Sequence, residues 1–518
     1  MNEQRRASGR KILLVTTDQQ RFDALGCNGG QIARTPVIDL LAANGINYQR
    51  AHNQNVVCMP ARSTILTGQH VRSHGVTMNG IPLPTDGPDF AQQLRTEGGY
   101  RTALIGKAHF EPSSAPGGEY FENYAAKHDL HGPHRGFEHM ELCAHTGRAG
   151  RSLYHYPKWL ADNHPQYVES YQEYVSPQKT ISCKRGGDTN GIQFWHNDMP
   201  SELYHTNWIA ERVITWLDTL SSDEDWFVWM SFPDPHHPWD PPSSELHRVD
   251  WRELALPDAY PGSVEATIKV LAEKPRHWLD WYLGKTQFNY EIPPEFKPCE
   301  LTADQIREVN ALTHIENELI DEALGRVLGH IDKRGWGDDT DVLYSTDHGE
   351  FQGDFGMLFK GPYHVDALMR VPLIWKPAAR EAVLPALIEQ PVGHVDLART
   401  ICSIAGLEPD PRMQGEVLPQ TSTNNRERVI TEWDGGYQGH DLRLRSICRD
   451  GYLCTVCEPG TDHQGDEGEL YDLRNDPRQW RNLWDHSDFA ALKADLIADL
   501  YDNLPPARTP ALTPVALV

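Results

Sequence analysis

A cysteine followed by proline two residues later and arginine four residues later, in Cys58-Met59-Pro60-Ala61-Arg62, is the stretch of this chain richest in chemistry. Pro60 suits the first turn of a helix. Cys58 then sits where unpaired helix amides favour negative charge, and Arg62 can turn back toward the same anion. Read alone, Cys58 is an ordinary buried cysteine at a helix start. Two apolar runs end in acidic residues, Asp18 in VTTDQQ and Asp347 in LYSTDHGE, with Gln19 and His348 beside them. By itself, an aspartate after a strand is a cap or turn residue. Lys107 and His109 in GKAHF point the same way if the preceding strand continues. Pro235-His236-His237-Pro238, Lys360 in FKGPYH and Asn79 in a Met-Asn-Gly turn complete the candidate set.

Alternating strands and helices must bring these residues together. Residues 11–17 are β-branched and leucine-rich, and VIDLLAANGI has helical apolar spacing stopped at Gly45. The alternation recurs in YRTALIGKAHF, in LYHTNWIAERVITWLDTL before DWFVWMSF, and in ENELIDEALGRVLGHIDKRG before DVLYSTDHG. This predicts an α/β fold, a large mixed and mostly parallel sheet sandwiched by helices. Ligands of such sheets collect outside the carboxyl ends of the strands. Asp18, Lys107, the 234–237 segment and the 347–350 segment all follow predicted strands, so they point to one site. After the helix-like HVDLARTICSIAG a turn-rich segment predicts a boundary, dividing an α/β unit over 10–424 from a smaller α+β domain over 425–518. RVITEWD, LRLRSICRD and YLCTVCEP read as its antiparallel strands, with a helix around ALKADLIADLYDNL. Residues 111–200 and 233–300 are irregular and rich in aromatic residues, His, Gly and Pro, as insertions bordering a pocket would be. YHYPKWLADNHPQY and GIQFWHNDMP read either as aromatic walls for an aryl or quaternary ammonium group or as core.

Composition narrows the classes. Lysine and arginine number 48 against 73 acidic residues, a net charge of −25, which argues against nucleic acid or anionic membrane as partner. An anionic substrate must therefore meet a local basic pocket. No apolar run approaches the ~20 residues that cross a bilayer, and the polar start leads directly into a strand, so a cytoplasmic location is expected. Nine cysteines without paired spacing beyond Cys454 and Cys457 do not suggest a disulfide scaffold. Composition leaves the oligomeric state open, with a homo-oligomer the ordinary expectation for a soluble enzyme.

Cys58-Met-Pro-Ala-Arg62, continued by Leu66-Thr67-Gly68, resembles the signature of type I, formylglycine-dependent sulfatases of the alkaline phosphatase superfamily. In that family the cysteine of Cys-x-Pro-Ser/Ala-Arg is oxidised to formylglycine by a maturation enzyme. The resemblance spans roughly residues 11 to 485, ending in Glu469-Leu470-Tyr471-Asp472-Leu473, Asp476-Pro477 and Asn482-Leu483. It implies that Asp18, Gln19, Asp347 and His348, with the modified Cys58, hold one divalent metal ion. Carboxylates suit Ca²⁺, the expected ion, while the imidazole also suits Mn²⁺. It implies further that Arg62, Lys107 and Lys360 neutralise the sulfate oxygens, that His109 contacts a formylglycine hydroxyl, and that His236 stands near the leaving group. His237 is expected to be its exposed neighbour. Asn79 either lines the pocket or serves its Asn-Gly turn.

The activity so implied is hydrolysis of an aryl or small alkyl sulfate monoester through a formylglycine hydrate and a covalent sulfo-enzyme. A sulfate ester is an anion, so the approaching nucleophile needs preorganised cations. Gln19 and His348 depart from the commonest sulfatase pattern, which has aspartate and asparagine there. The chain thus also resembles choline sulfatases and phosphonate monoester hydrolases, and a phosphonate monoester or phosphodiester hydrolase is the alternative. A two-metal phosphatase fits less well, because only one metal set is evident. A fold-retaining binding protein would have lost a core residue, and none is missing.

Overall fold

A computed structural model describes residues 9–113, 120–146, 150–167, 185–288, 292–293 and 295–516, so parts of the irregular 111–200 stretch lie outside the described residues. Among the described residues the central sheet has nine strands. In chain order they are β1 (Lys11–Thr17), β2 (Ile46–Tyr48), β3 (Arg101–Gly106), β4 (His139–Thr146), β5 (Gly150–Tyr154), β6 (Trp226–Ser231), β7 (Thr340–Thr346), β8 (Leu373–Lys376) and β9 (Ala386–Ile388). Their spatial order is β9-β2-β8-β7-β1-β6-β3-β4-β5. The central run β7-β1-β6-β3-β4 is parallel throughout, and antiparallel pairs join β7 to β8, β8 to β2 and β4 to β5.

All seven residues of β1 are buried, because helices cover both sheet faces. Ile12 and Leu14 enter one core with Leu104, Phe90 and Trp229, while Leu13 and Val15 enter the other with Ile105, Val228 and Trp208. This is the two-residue alternation of a strand between two layers. The covering helices include α1 (Pro36–Ala43), α2 (Cys58–Thr67), α3 (His205–Asp218), α4 (Ala303–Lys333) and α5 (Leu397–Ile404). Helix α4 begins well before the expected 316–335 stretch. Thr302 and Gln305 form a capping box at its start, and buried polar residues such as Glu308, His314 and Asn317 hide its periodicity from a hydropathy reading.

The C-terminal sheet orders four antiparallel strands consecutively: β10 (Arg428–Gly435), β11 (Leu442–Arg449), β12 (Tyr452–Cys457) and β13 (Gly468–Asp472). Helix α6 (Ala490–Asp502) packs Leu496 and Leu500 on Ile447, Cys454 and Leu470. The last strand is the ELYD segment. On its other face the sheet shares a core with Val56, Val57, Phe351 and Phe359. Strand β10 also grips the segment leading into α2. Thr431 Oγ1 donates to Asn53 O at 2.6 Å, Glu432 N to Gln54 O at 2.9 Å, and Asn55 Nδ2 to Glu432 O at 2.7 Å.

At this junction the buried Glu432 side chain lies 3.6 Å from both Arg72 and Arg445. Burial nevertheless dominates and pushes its carboxyl up to about 7, well above the ordinary glutamate range. The folded chain therefore holds a proton that the unfolded chain releases. The retained proton favours folding at low pH, and that stabilisation is lost as pH rises through about 7. Glu432→Gln is expected to flatten that part of the stability–pH curve between pH 5 and 8, as read by urea unfolding at each pH. An unchanged slope would show that Glu432 is ionised in the folded protein.

Candidate active site

Four adjacent parallel strands deliver the candidate residues: β7 leads to Asp347 and His348, β1 to Asp18 and Gln19, β6 to His236, and β3 to Lys107 and His109. Gly106 makes the exit from β3 possible. Its φ is +109°, and a Cβ there would lie 1.7 Å from Ser231 O. A side chain would break that approach, through which Lys107 N donates to Ser231 O at 2.8 Å.

Helix α2 lies across these strand ends with every residue buried. It terminates at Gly68 in the left-handed conformation. Its N-cap Val57 is extended and gives no side-chain cap. Instead Asn79 Oδ1 accepts from Met59 N at 2.9 Å, so Asn79 caps the helix from outside, one residue after Cys58.

Cys58 Sγ lies 3.2 Å from His348 Nε2 and 3.6 Å from Asp18 Oδ1. Asp18, Cys58, Asp347 and His348 each place one donor atom within 4.8 Å of the others, and all are buried. His348 Nδ1 lies 2.9 Å from Gly349 O and donates to it, which leaves the Nε2 lone pair facing the cluster. Burial lowers the His348 pKa despite Asp347 beside it, keeping the ring neutral as a metal ligand must be. Two carboxylates and one oriented imidazole lone pair thus fit a divalent ion.

The same carboxylates are held by cations. Arg62 Nε donates to Asp347 Oδ2 at 2.8 Å, and its Nη2 lies 3.7 Å from Asp18 Oδ2. Arg62 Nη1 donates at 2.8 Å to both Lys107 O and Ser231 Oγ. Lys107 Nζ bonds Asp18 Oδ2 directly. Burial alone would push the Asp18 carboxyl up, but Lys107, Arg62, His348 and Lys360 together pull it well below its ordinary range. His109 lies alongside with φ +59° and is buried, and neither ring nitrogen has a hydrogen-bond partner among the described residues. Burial, reinforced by Lys107 and Arg62, holds it well below its ordinary pKa.

Gln19 divides this half of the site from the other. Its Oε1 accepts from Lys360 Nζ at 2.6 Å, and its Nε2 donates to Glu350 Oε2 at 2.6 Å. Lys360 Nζ is also 2.8 Å from His236 Nε2. Since His236 Nδ1 is engaged with His237 O, Nε2 is the acceptor and Lys360 the donor. His237 is not the exposed neighbour expected. It is completely buried, with Nδ1 3.2 Å from Gln19 Nε2 and its ring edge-on to Phe359 at 4.8 Å, because Trp239 and Phe359 close over the loop. Ser231 and Glu350 join the site without having been singled out. Glu350 was visible in the TDHGE cluster, whereas nothing in the sequence marked Ser231. Of the aromatic stretches, Tyr156 belongs to the core beside Trp208, while Phe194 packs on Trp239, whose ring lies 5.6 Å from His237.

Arg62→Met would leave two buried carboxylates facing each other, and a loss of about 3–5 kcal/mol is expected in urea unfolding of the metal-free protein. A loss under about 1 kcal/mol would mean that other groups neutralise the pair.

The Sulfatase family profile matches residues 10–407. An uncharacterized sulfatase, YidJ, of Escherichia coli strain K12 is 26% identical over 507 residues, covering 96% of this chain and 88% of that one. An arylsulfatase of Clostridium perfringens is 23% identical over 91% of this chain and 89% of its own length. Among solved structures, the phosphonate monoester hydrolase of Agrobacterium radiobacter superposes with a TM-score of 0.77 at 23% identity, covering 95% of each chain. At that identity the last likeness concerns the fold.

Proposed function

The chain belongs to the sulfatase family, and from that premise we propose that it hydrolyses an aryl or small alkyl sulfate monoester with Cys58, as formylglycine, for nucleophile. The observation that carries this reading is the position of Cys58: first residue of a buried helix, Sγ 3.2 and 3.6 Å from His348 and Asp18, with Arg62 and Lys107 both facing the Asp18 carboxylate. A maturation enzyme would oxidise the thiol-bearing carbon to an aldehyde at the expense of molecular oxygen, with the sulfur leaving as sulfide, and the hydrated aldehyde would supply one hydroxyl for attack on the ester sulfur and a second for the exit step. Asp18, Asp347 and His348 would hold the divalent ion, assigned as Ca²⁺ with Mn²⁺ as the alternative, and the bound ion supplies charge that acidifies a nearby hydroxyl.

The chain's own groups do the rest. Arg62 and Lys107 on one side and Lys360 on the other bear positive charge toward the sulfate oxygens, in a buried setting where such charge is most effective. As the ester S–O bond breaks, the departing oxygen takes a proton from the Lys360–His236 pair, in which Lys360 is the proton-bearing member. Gln19 keeps Lys360 aimed at that position. His109, neutral and with both ring nitrogens unpartnered among the described residues, accepts the proton of the second hydroxyl as sulfate leaves.

The test is peptide-level mass spectrometry of the Cys58 peptide after coexpression with a formylglycine-generating enzyme, beside turnover of paired aryl sulfate and phenyl phosphonate esters with Ca²⁺ or Mn²⁺ restored. Conversion with sulfate turnover dominant, and loss of both in Cys58→Ala, is the expected outcome. Activity that persists with Cys58 entirely a thiol would overturn the mechanism. The phosphonate arm is included because of the fold likeness to a phosphonate monoester hydrolase, and dominance there would transfer the reading to that reaction.

Lys360→Met is expected to slow sulfate esters of poorly acidic alcohols at least tenfold more than those of activated phenols, about 1.4 kcal/mol in relative barrier. Equal slowing across leaving groups would confine Lys360 to sulfate binding.

A further inference from the structure

Behind the turn that carries Lys107 and His109 lies a second group of ligand-type side chains. Glu111 follows the turn, Glu122 lies in the helix Phe121–Lys127, and His134 lies in the loop before β4. One donor atom from each lies within 4.8 Å of the others. The two carboxylates are already oriented by backbone amides: Glu111 Oε2 accepts from Glu122 N at 3.0 Å and Glu122 Oε1 from Phe110 N at 2.9 Å. Each keeps its second oxygen for something else.

What that something is follows from the atoms left over. Glu122 is completely buried, yet its Oε2 has no hydrogen-bond partner among the described residues. His134, its side chain 10% exposed, likewise leaves Nε2 without one, 3.8 Å from Glu111 Oε1. Its ring is stacked on Phe121 at 4.8 Å and 18°, which fixes its direction. Arg135 is the nearby cation, but Nη2 stands 3.9 Å from Glu111 Oε1 and is spent on Leu83 O at 2.7 Å. Burial, with Glu111 alongside, pushes the Glu122 carboxyl up to about 8, while burial and Arg135 hold His134 neutral. A buried acceptor without a partner is costly, and a cation would satisfy both orphaned atoms at once.

We propose that Glu111, Glu122 and His134 form a second divalent-cation site, distinct from the cluster at Asp18 and of the kind Zn²⁺ occupies. Zn²⁺ accepts both imidazole nitrogen and carboxylate oxygen, and three such donors leave a fourth position for water. Ligand distances of about 2.1 Å put tetrahedral donors roughly 3.4 Å apart, so the 3.8 Å pair needs only a small contraction. Because Glu122 Oε1 holds Phe110 N, an ion here pins the residue after His109. The site positions the turn and takes no part in the chemistry.

The experiment is Zn²⁺ titration, by calorimetry and thermal midpoint, of an Asp18→Asn/Asp347→Asn variant in which the first site is disabled. One equivalent should bind, raise the midpoint and release a proton near pH 7. Adding Glu122→Gln or His134→Gln should weaken binding at least a hundredfold. If the parent variant does not fold, Ca²⁺-saturated wild-type protein is titrated against its Glu122→Gln and His134→Gln forms with the same expectation. Absence of Zn²⁺ binding, or binding indifferent to both substitutions, would overturn the proposal and leave Glu111 and Glu122 sharing a proton.

Discussion

Everything at the carboxyl edge of the central sheet is arranged around two buried aspartates. Asp18 and Asp347 end neighbouring parallel strands and are completely buried. Charges so placed persist only if cations and hydrogen bonds replace the lost hydration. Arg62 supplies the bridge, bonding Asp347 directly and approaching Oδ2 of Asp18, the same oxygen that Lys107 holds. A planar guanidinium can meet two carboxylates, a backbone carbonyl and a hydroxyl simultaneously, which a lysine at that position could not.

The helix that brings Arg62 also brings Cys58, so the demand for charge compensation and the placement of the candidate nucleophile are one constraint. The helix start is secured from two directions. Asn79 caps Met59, and strand β10 of the C-terminal sheet holds residues 53–55 immediately upstream. The C-terminal sheet thus participates in the site's architecture without contributing a ligand-type side chain to the cluster. Its shared core with Val56, Val57 and Phe359 makes the two sheets energetically dependent on each other.

Gln19 explains how so many ionisable groups coexist in one buried volume. Its amide accepts from Lys360 and donates to Glu350, linking two groups of opposite charge through a neutral one. A second aspartate at this position would offer only acceptors and would face Glu350 with like charge. The substitution therefore fits the Glu350 beneath it, whose carboxyl burial pushes up to about 7.

The parallel strands β1, β3, β6 and β7 were legible because each is a short apolar run ending in a polar cluster, whereas the parallel β4 falls in the 111–200 stretch read as irregular, since His139, Glu141 and His145 interrupt its apolar pattern. The clusters all follow strands of one expected sheet and so pointed to one site, and the Cys58 and Arg62 spacing reports a helical turn whatever surrounds it. Other features left no local trace. The burial of His237, the capping role of Asn79, the part played by Ser231 and the grip of β10 on residues 53–55 all arise from contacts between segments far apart in sequence. Local propensity reads a residue against its neighbours along the chain, and these residues answer to neighbours through space. Sequence alone thus determined most of the groups that converge at the strand ends; tertiary packing added Ser231 and decided which groups are buried and paired, because only packing removes the water that would otherwise satisfy them.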